Sequence, residues 1–156
     1  MKNSNKKGFT LVELVVVIAI IGVLAAILVP SMMGYVKKAR LKTANGNAKT
    51  GYNAAADYFT EQETLGQLSN TDLSDGEDAA TAALASNGTT KGEIKLVGSD
   101  PKDWDDEMKY CCYWATSSTD DIVGRYPSPG VKIVSGHAAD ASGNQITWGA
   151  ALPSDD

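Results

Sequence analysis

The sequence predicts an α+β fold in which one long N-terminal helix packs its second half on an antiparallel sheet. An apolar run from Phe9 to Val29 has Thr10 and Glu13 as its only polar side chains, and predicts a helix that is apolar all round. An apolar stripe at helical spacing follows the run and extends this helix. Short segments rich in β-branched and aromatic residues then predict the sheet.

The apolar run is long enough to span a membrane. As a helix it reaches roughly 30 Å, about the thickness of the hydrocarbon core of a bilayer. Positive charges flank it on both sides, so they do not fix the orientation of a span. The flanking residues are Lys2, Lys6 and Lys7 before the run, and Lys37, Lys38, Arg40 and Lys42 after it. We expect a single span at this place.

The stripe after the run predicts that the helix continues into a globular domain. Its members recur every three or four residues: Leu41, Ala44, Ala48, Tyr52, Ala55 and Phe59. We predict one helix from about Thr10 to about Leu65, roughly 80 Å long, whose apolar half projects from the domain. Pro30 lies inside the helix and removes one hydrogen bond at a cost of about 3 kcal/mol. It predicts a kink or a melted turn near residues 29–33.

The sequence after Gly66 predicts a second, short helix and then the strands. Ser74 and Glu77 have the S-x-x-E spacing of a capping box, and Gly88 follows an alanine-rich stretch. Four runs predict strands: EIKLVG, KYCCYWAT, VKIVSG and QITWG. The stripe of the long helix is expected to cover the apolar face of their sheet.

Charge divides the chain into a basic stem and an acidic head. Residues 1–49 carry eight Lys and Arg and one acid, whereas residues 50–156 carry six Lys and Arg and eighteen acids. Binding to the phosphates of nucleic acid requires clustered positive charge. We therefore expect no nucleic-acid binding by the head.

No arrangement of residues in the sequence favours an enzyme. His137 is the only histidine and is expected to be a solvated loop residue, without a nucleophile–base pair. The acidic segments 100–107 and 140–144 offer oxygen ligands for Ca²⁺, but neither has the D-x-[DN]-x-[DN]-G pattern. Solvated acidic turns are the favoured interpretation, and no metal or cofactor is predicted.

The adjacent cysteines Cys111 and Cys112 are predicted to be structural. Neighbours in a strand point to opposite faces, so a disulfide between them requires a strained geometry. Each is either a small buried residue or a partner for a bond to another chain. The three tryptophans are likewise predicted to belong to the core rather than to a carbohydrate-binding face.

The first quarter of the chain carries a distinctive pattern. A short basic leader ends in Gly8, Phe9 follows, Glu13 lies four residues further on, and an unbroken apolar helix continues. The same stretch contains Thr10, Leu11, Gly22 and Pro30. The segment KKGFTLVELVVVIAIIGVLAAILVP resembles the class III signal and first helix of type IV prepilins and the related pseudopilins. The resemblance extends from Lys6 to about Arg40.

This resemblance implies a processing step and a place in the cell. A membrane-embedded prepilin peptidase would cut after Gly8 and remove residues 1–8, and the new amine of Phe9 would be N-methylated. Residues 9–36 would form the transmembrane and filament-core half of the helix, and residues 37–156 the globular head. The chain would be a single-pass protein of the cell membrane before it joins an extracellular pilus. Its partners would be other pilin subunits, the peptidase and N-methyltransferase, and a membrane assembly platform with its ATPases.

The resemblance also implies why an apolar segment contains a carboxylate. Cleavage would create a cationic amine on Phe9, and Glu13 lies about one helical turn away, near the positive end of the helix dipole. A lone carboxylate in a bilayer is costly and needs a partner. In the family that partner is the amine of an adjoining subunit, so pairing would set the axial offset between chains.

Small residues and a proline in the apolar helix add two expectations. Gly22 and Ala26 form a small-xxx-small pair, which either lets neighbouring helices approach closely or is simple helix filler. Pro30 and Gly34 either give the stem flexibility during its extraction from the membrane or mark an incidental kink.

The function implied is that of a structural subunit of a type IV pilus and not an enzyme. A pseudopilin of a type II secretion or DNA-uptake system shares the motif, and length and charge do not separate the two. The alternative of another class is a membrane-anchored extracellular binding module that never polymerises. Many type IV pilins close a C-terminal loop with two well-separated cysteines, whereas Cys111 and Cys112 are adjacent. The head must therefore be held by packing or by a bond between subunits.

Overall fold

The computed structural model describes residues 8–67, 73–89, 91–98, 110–127, 132–134, 137–139, 145–146 and 148. Two helices and five strands lie in these residues: α1 (Leu11–Thr64), α2 (Leu73–Ser86), β1 (Glu93–Gly98), β2 (Tyr110–Ala115), β3 (Val123–Tyr126), β4 (Lys132–Val134) and β5 (His137–Ala139). The predicted α+β fold is confirmed. The long helix agrees with its predicted bounds to within one residue at each end.

Helix α1 belongs to two compact units, which divide between Val36 and Lys37. In the first unit every described residue, from Gly8 to Val36, is exposed. All the buried residues of the described chain lie in the second unit, which we call the head. Residues 11–36, which we call the apolar half of α1, therefore have no core of their own to pack on.

Helix α1 is continuous through Pro30. Residues 29 and 31–33 remain helical, so the predicted melted turn is wrong. A proline removes only one i→i−4 hydrogen bond, and the helical bonds before and after it carry the chain through. The kink stays a prediction.

The second half of α1 packs through the predicted stripe. All six stripe residues are buried: Leu41, Ala44, Ala48, Tyr52, Ala55 and Phe59. The last three join one core cluster with residues of α2, β1 and β2, namely Ala80, Leu96, Tyr110 and Cys112. The expectation that this helix covers the sheet is therefore confirmed.

Both helices end at a glycine in the left-handed region. Gly66 follows α1 with φ 67°, and Gly88 follows α2 with φ 83°. The N–H of Gln67 turns back to donate to the carbonyl of Gln62 at 2.9 Å, which is the pattern of a Schellman motif. Residues with a Cβ rarely adopt this φ, so glycine is required at both predicted helix ends.

Strands β1, β2 and β3 form an antiparallel sheet in this order, and β4 pairs antiparallel with β5 in a separate sheet. Leu96 of β1 and Tyr126 of β3 both lie opposite Cys112 of β2. The runs EIKLVG, KYCCYWAT and VKIVSG correctly predict β1, β2 and β4. Of QITWG, residues 145, 146 and 148 are described, and Gln145 forms an isolated antiparallel bridge to Ala139 of β5, so this part shows β-bridge pairing but no continuous strand. The sequence patterns do not predict β3 and β5.

Strand β2 forms the centre of the head. All six of its residues are buried, so both faces of the sheet are covered, whereas the sequence predicted a cover on one face. Cys112 faces helix α1, because a Cβ on Gly51 would lie 3.2 Å from its Sγ. Tyr113 points to the opposite face, where the guanidinium carbon of Arg125 lies 5.5 Å from its ring centroid.

The two outer strands of this sheet each receive a side chain from a helix. The N–H of Leu96 in β1 donates to Oε1 of Glu77 in α2 at 2.9 Å. The N–H of Arg125 in β3 donates to Oδ1 of Asn45 in α1, also at 2.9 Å. The predicted capping box is wrong, because α2 begins before Ser74 and Glu77 binds strand β1 instead.

Strand β3 crosses helix α1 at Gly124. A Cβ at this position would collide with the backbone of Ala44 and of Asn45. Glycine allows the approach that brings Asn45 to the N–H of Arg125. This glycine and the buried arginine interrupt the apolar pattern, which is why the sequence does not reveal the strand.

Gly124→Ala is expected to lower the free energy of unfolding by more than about 2 kcal/mol, because the new methyl group meets backbone atoms that cannot rotate away. Gly46→Ala is the matched control, since its Cβ would meet nothing within 4 Å. Alanine at position 46 is expected to raise the free energy of unfolding by about 0.5–1 kcal/mol. Urea unfolding of the full chain in detergent micelles, followed by tryptophan fluorescence, measures both. Equal effects of the two substitutions would contradict the close approach of β3.

Tyr52 lies among other aromatic rings in the head. Its ring centroid is 4.9 Å from that of Tyr110 and 5.1 Å from that of Tyr126. Burial raises the pKa of Tyr52 to about 12, with smaller contributions from Tyr126 and Cys111. Burial also raises the pKa of Tyr110. The folded head therefore keeps both phenols neutral at a pH where free tyrosine ionises.

The head is expected to lose stability as the pH rises from about 10 to about 12. The unfolded state releases the phenolic proton at the lower pKa, so the stabilisation is complete below about pH 10 and is lost as the pH approaches the folded pKa. Thermal melts of the full chain across this range measure the loss. Tyr52→Phe is expected to reduce it, whereas Tyr35→Phe, on an exposed residue, is the control. A melting temperature that does not change across this range would refute the expectation.

Candidate processing and assembly site

The peptide bond between Gly8 and Phe9 lies just before helix α1. Residues 8–10 are not helical, and α1 begins at Leu11. The side chain of Phe9 is 86% exposed, and Gly8 and Thr10 are exposed as well. The predicted junction therefore lies in an accessible, non-helical segment.

Thr10 and Glu13 form a capping box at the start of α1. Oε2 of Glu13 accepts hydrogen bonds from the N–H of Thr10 at 2.8 Å and from its hydroxyl at 2.6 Å. The N–H of Glu13 in turn donates to Oγ1 of Thr10 at 3.3 Å. These bonds satisfy donors that a helix N-terminus otherwise leaves without an intrahelical partner.

The T-x-x-E spacing of this box is present in the sequence and is the signal that predicts it. Glu13 thus has a local role, which is to hold the first turn of α1. Both of its bonds use Oε2, and among the described residues no donor reaches Oε1. A carboxylate has lone pairs for several donors, so the box leaves room for a further partner.

The small residues of the apolar half lie on an uncovered surface. A Cβ on Gly22 or Gly34 would meet nothing within 4 Å, and Ala26 lies one turn from Gly22 on the same helix face. A shallow groove close to Gly22 is lined by apolar side chains alone: Ala19, Ile20, Val23 and Leu24. The structure places these residues where another helix or lipid can reach them.

An ion pair follows the apolar half. Nη2 of Arg40 donates to Oδ2 of Asp120 at 2.7 Å, and Oδ1 of Asp120 accepts from the N–H of Ile122 at 3.1 Å. The pair joins α1 to the loop between β2 and β3. Of the basic residues after the span, Arg40 is therefore engaged within the head.

The other residues singled out in the sequence form no reactive site in the part of the chain that is described. Cys111 and Cys112 form no disulfide and are fully buried, and burial raises the pKa of Cys112, which disfavours its reactive thiolate. No group of three or more potential metal ligands occurs among the described residues. The segments 100–107 and 140–144, Trp104 and the His137 side chain lie outside the description.

Within the described residues, α1 is the one helix that is long and apolar enough to cross a membrane, judged by length and composition. The qualifying stretch is near the N-terminus and has no buried residue. The finding agrees with the predicted span.

Comparisons with known proteins agree with this site. The family model of the prokaryotic N-terminal methylation motif matches residues 3–29. The chain is 37% identical over 68 residues to the type IV major pilin protein PilA of Myxococcus xanthus, which is 44% of this chain and 31% of the relative. It is 33% identical over 91 residues to the type IV major pilin protein PilE of Neisseria gonorrhoeae, which is 58% of this chain and 48% of the relative.

A third relative matches further into the head. The type II secretion system core protein G of Escherichia coli is 37% identical over 98 residues, which is 62% of this chain and 67% of the relative. By contrast, the chain spans about a third to a half of the length of the two pilins. No solved structure is significantly similar to the chain.

The chain belongs to the family of type IV prepilins and pseudopilins, as its first quarter indicated. Its relatives are structural pilins and pseudopilins, which are not enzymes. Polymerisation with like subunits by an assembly machinery of the type IV class is the behaviour that this family implies.

Thr10→Val is expected to loosen the first turn of α1, because valine keeps the shape of threonine but removes the hydroxyl of the capping box. Loss of an N-cap costs about 1 kcal/mol, which corresponds to a roughly fivefold larger equilibrium constant for opening of the first turn. Amide hydrogen exchange at Glu13 and Leu14 of the full chain in micelles measures it. Thr43→Val removes a hydroxyl that bonds the Ala39 carbonyl at 3.2 Å in the same helix and is the control. Unchanged exchange in Thr10→Val would rule out the capping box.

Proposed function

We propose that this chain is a structural subunit of a type IV pilus, made as a membrane-inserted precursor that joins an extracellular filament. One observation carries the proposal. Every residue of the apolar half is exposed, and Glu13 is its only charged side chain. An apolar surface of this size needs lipid or other helices to cover it.

The proposed processing step is cleavage after Gly8 by a prepilin peptidase, followed by N-methylation of Phe9. The match to the methylation motif over residues 3–29 and the exposed, non-helical junction support it. Residues 1–8 then leave, residues 9–36 serve as membrane anchor and filament core, and residues 37–156 form the head. A membrane assembly platform with its ATPases is the proposed machinery.

The proposed assembly contact joins the Phe9 amine of one subunit to Glu13 of its neighbour. The capping box holds this carboxylate at the helix N-terminus while Oε1 remains for a cationic donor. Charge-assisted bonds of this kind are short and strong away from water. Contact between apolar halves provides most of the cohesion, with close approach at Gly22 and Ala26 and adjustment of the stem around Pro30 and Gly34.

A pseudopilin is the second candidate, and a specific observation favours it. The match to the secretion-system protein of E. coli covers 67% of that relative, more than for the two pilins described above. Such a chain would form a short filament within the cell envelope. Abundant filaments of this chain on the cell surface, seen by electron microscopy with a specific antibody, would favour the pilus.

Glu13→Gln is expected to lower the yield of filaments about tenfold or more. Glutamine keeps an acceptor for Thr10, so the helix stays capped, but it removes the charge that binds the amine, and a hydrogen bond to a charged group is worth about 1.5–3 kcal/mol. Sheared filaments, quantified by immunoblot against the membrane pool, measure the yield. Glu63→Gln makes the same chemical change at an exposed position in the head and is the control.

Intact-mass analysis of the same material reports the processing. A chain that begins at methylated Phe9 is expected. A normal filament yield for Glu13→Gln would exclude the proposed pairing, and a chain that begins beyond Pro30 would exclude the whole function. An unprocessed, monomeric chain in membranes would instead identify a membrane-anchored binding module.

A further inference from the structure

The part of helix α1 in the head carries charges of opposite sign at its two ends. Lys42 and Lys49, the basic patch, are exposed, and so are Asp57 and Glu61, the acidic patch. Between residues 37 and 49 there is no acid, and between residues 57 and 63 there is no Lys or Arg. The helix in the head is therefore a charged rod, positive near the apolar half and negative near its C-terminal end.

Neither patch is neutralised within the described chain. The four side chains form no ion pair with any described residue, whereas Arg40 nearby is paired with Asp120. Lys49 is held 5.5 Å from the ring centroid of Tyr126, which orients its charge without cancelling it. Lys49 and Asp57 are eight residues apart, roughly 12 Å along the helix, which exceeds the spacing at which helical side chains pair.

We propose that the basic patch of one subunit docks on the acidic patch of a second copy of this chain in the same filament. This inference rests on the proposed function and adds a contact between heads to the contact at Glu13. In parallel chains, patches of opposite sign at different heights cannot satisfy each other in a two-fold dimer. The two patches match only when one chain is shifted along the axis relative to the other. Such heterologous contacts produce open filaments.

The axial distances agree with such a contact. The centres of the two patches are separated by roughly 20 Å along the helix. Pairing of the Phe9 amine with a neighbouring Glu13 offsets adjacent chains by four residues, or roughly 6 Å. About three such steps bring the acidic patch of one subunit level with the basic patch of another. The proposed contact therefore joins subunits a few steps apart and not immediate neighbours.

Anionic lipid is the competing partner for the basic patch, and distance argues against it. Lys42 lies five residues after Lys37, the first residue of the head, or roughly 8 Å along the helix, but Lys49 lies twelve residues after it, or roughly 18 Å. The headgroup region on each side of a bilayer is only about 5–8 Å thick. Lipid also leaves the acidic patch without a partner, whereas a second copy satisfies both.

Charge reversal in the full chain, expressed in filament-forming cells, tests the contact. Lys42→Glu with Lys49→Glu, and separately Asp57→Lys with Glu61→Lys, are each expected to lower the yield of sheared filaments roughly fivefold or more, because each replaces attraction by repulsion. The chain with all four substitutions is expected to recover most of the yield. Lys91→Glu with Lys95→Glu changes the net charge as much as the first pair, at exposed positions elsewhere in the head, and is the matched control.

A disulfide trap provides a direct readout. A chain with Lys49→Cys and Glu61→Cys, two positions that are twelve residues or roughly 18 Å apart and so become level after three steps, is expected to give a ladder of multimers on non-reducing gels after mild oxidation of filaments. The two sites are too far apart for a bond within one helix, and the native cysteines are fully buried. Each single substitution is expected to give no ladder, and neither is Lys95→Cys with Glu61→Cys.

The outcomes separate this inference from the proposed function. If the four-fold variant stays as defective as the double variants, or if no ladder forms from wild-type-like filaments, the contact is wrong although the function stands. If only the lysine reversals matter and the chain also loses binding to vesicles of phosphatidylglycerol, the basic patch binds lipid and the contact is wrong. If the wild-type chain forms no filaments in a complete assembly system, the proposed function fails and this inference with it.

Discussion

An apolar helix without a cover is the constraint on which the rest of this molecule depends. Transfer of one large apolar side chain out of water is worth about 1.5–3 kcal/mol, and the apolar half of α1 exposes a long series of them. Water is therefore an unfavourable environment for the apolar half of α1. Lipid chains and neighbouring helices are almost equally apolar, so hydrophobic energy alone hardly distinguishes membrane from filament. The choice between the two states is left to smaller terms, such as close packing, hydrogen bonds and charge.

Glu13 illustrates how one residue can provide such a term without a cost to the isolated chain. An unpaired carboxylate in an apolar segment is unfavourable, but here its Oε2 already accepts two hydrogen bonds from Thr10. The bonded carboxylate also stabilises the helix N-terminus, where negative charge is favourable. Under the proposed pairing, these bonds make the carboxylate tolerable before assembly, and its Oε1 can then accept from a cation. The head is comparable in one respect, because the part of α1 in the head carries charges that the described chain does not neutralise.

The sequence predicted the parts of this fold that are regular and failed where single residues depart from a pattern. The stripe from Leu41 to Phe59 has an unbroken helical period, and all its members are buried. The sequence pattern did not predict strand β3, because this strand contains Gly124 and a buried arginine. The roles of both residues depend on contacts with α1, 80 residues away in the chain. The S-x-x-E pattern gave the wrong helix start in α2, because Glu77 finds a more distant partner in β1. At the candidate site, the junction, the carboxylate and the T-x-x-E spacing were all visible in the sequence, but the same kind of spacing failed at Ser74 and Glu77, so only the structure shows which of the two boxes forms.

The side chains of Glu77 and Asn45 bear on how the three-stranded sheet meets other chains. A strand with free backbone groups along its edge is a template for pairing with another chain, and crowded copies then aggregate as cross-β ribbons. Here a helix supplies an acceptor to an outward N–H on each flank of the three-stranded sheet. Each of these bonds occupies one backbone donor that another chain could otherwise use for strand pairing. If the chain assembles as proposed, contacts through helix α1 leave this sheet unchanged, so subunits can separate again without unfolding the head.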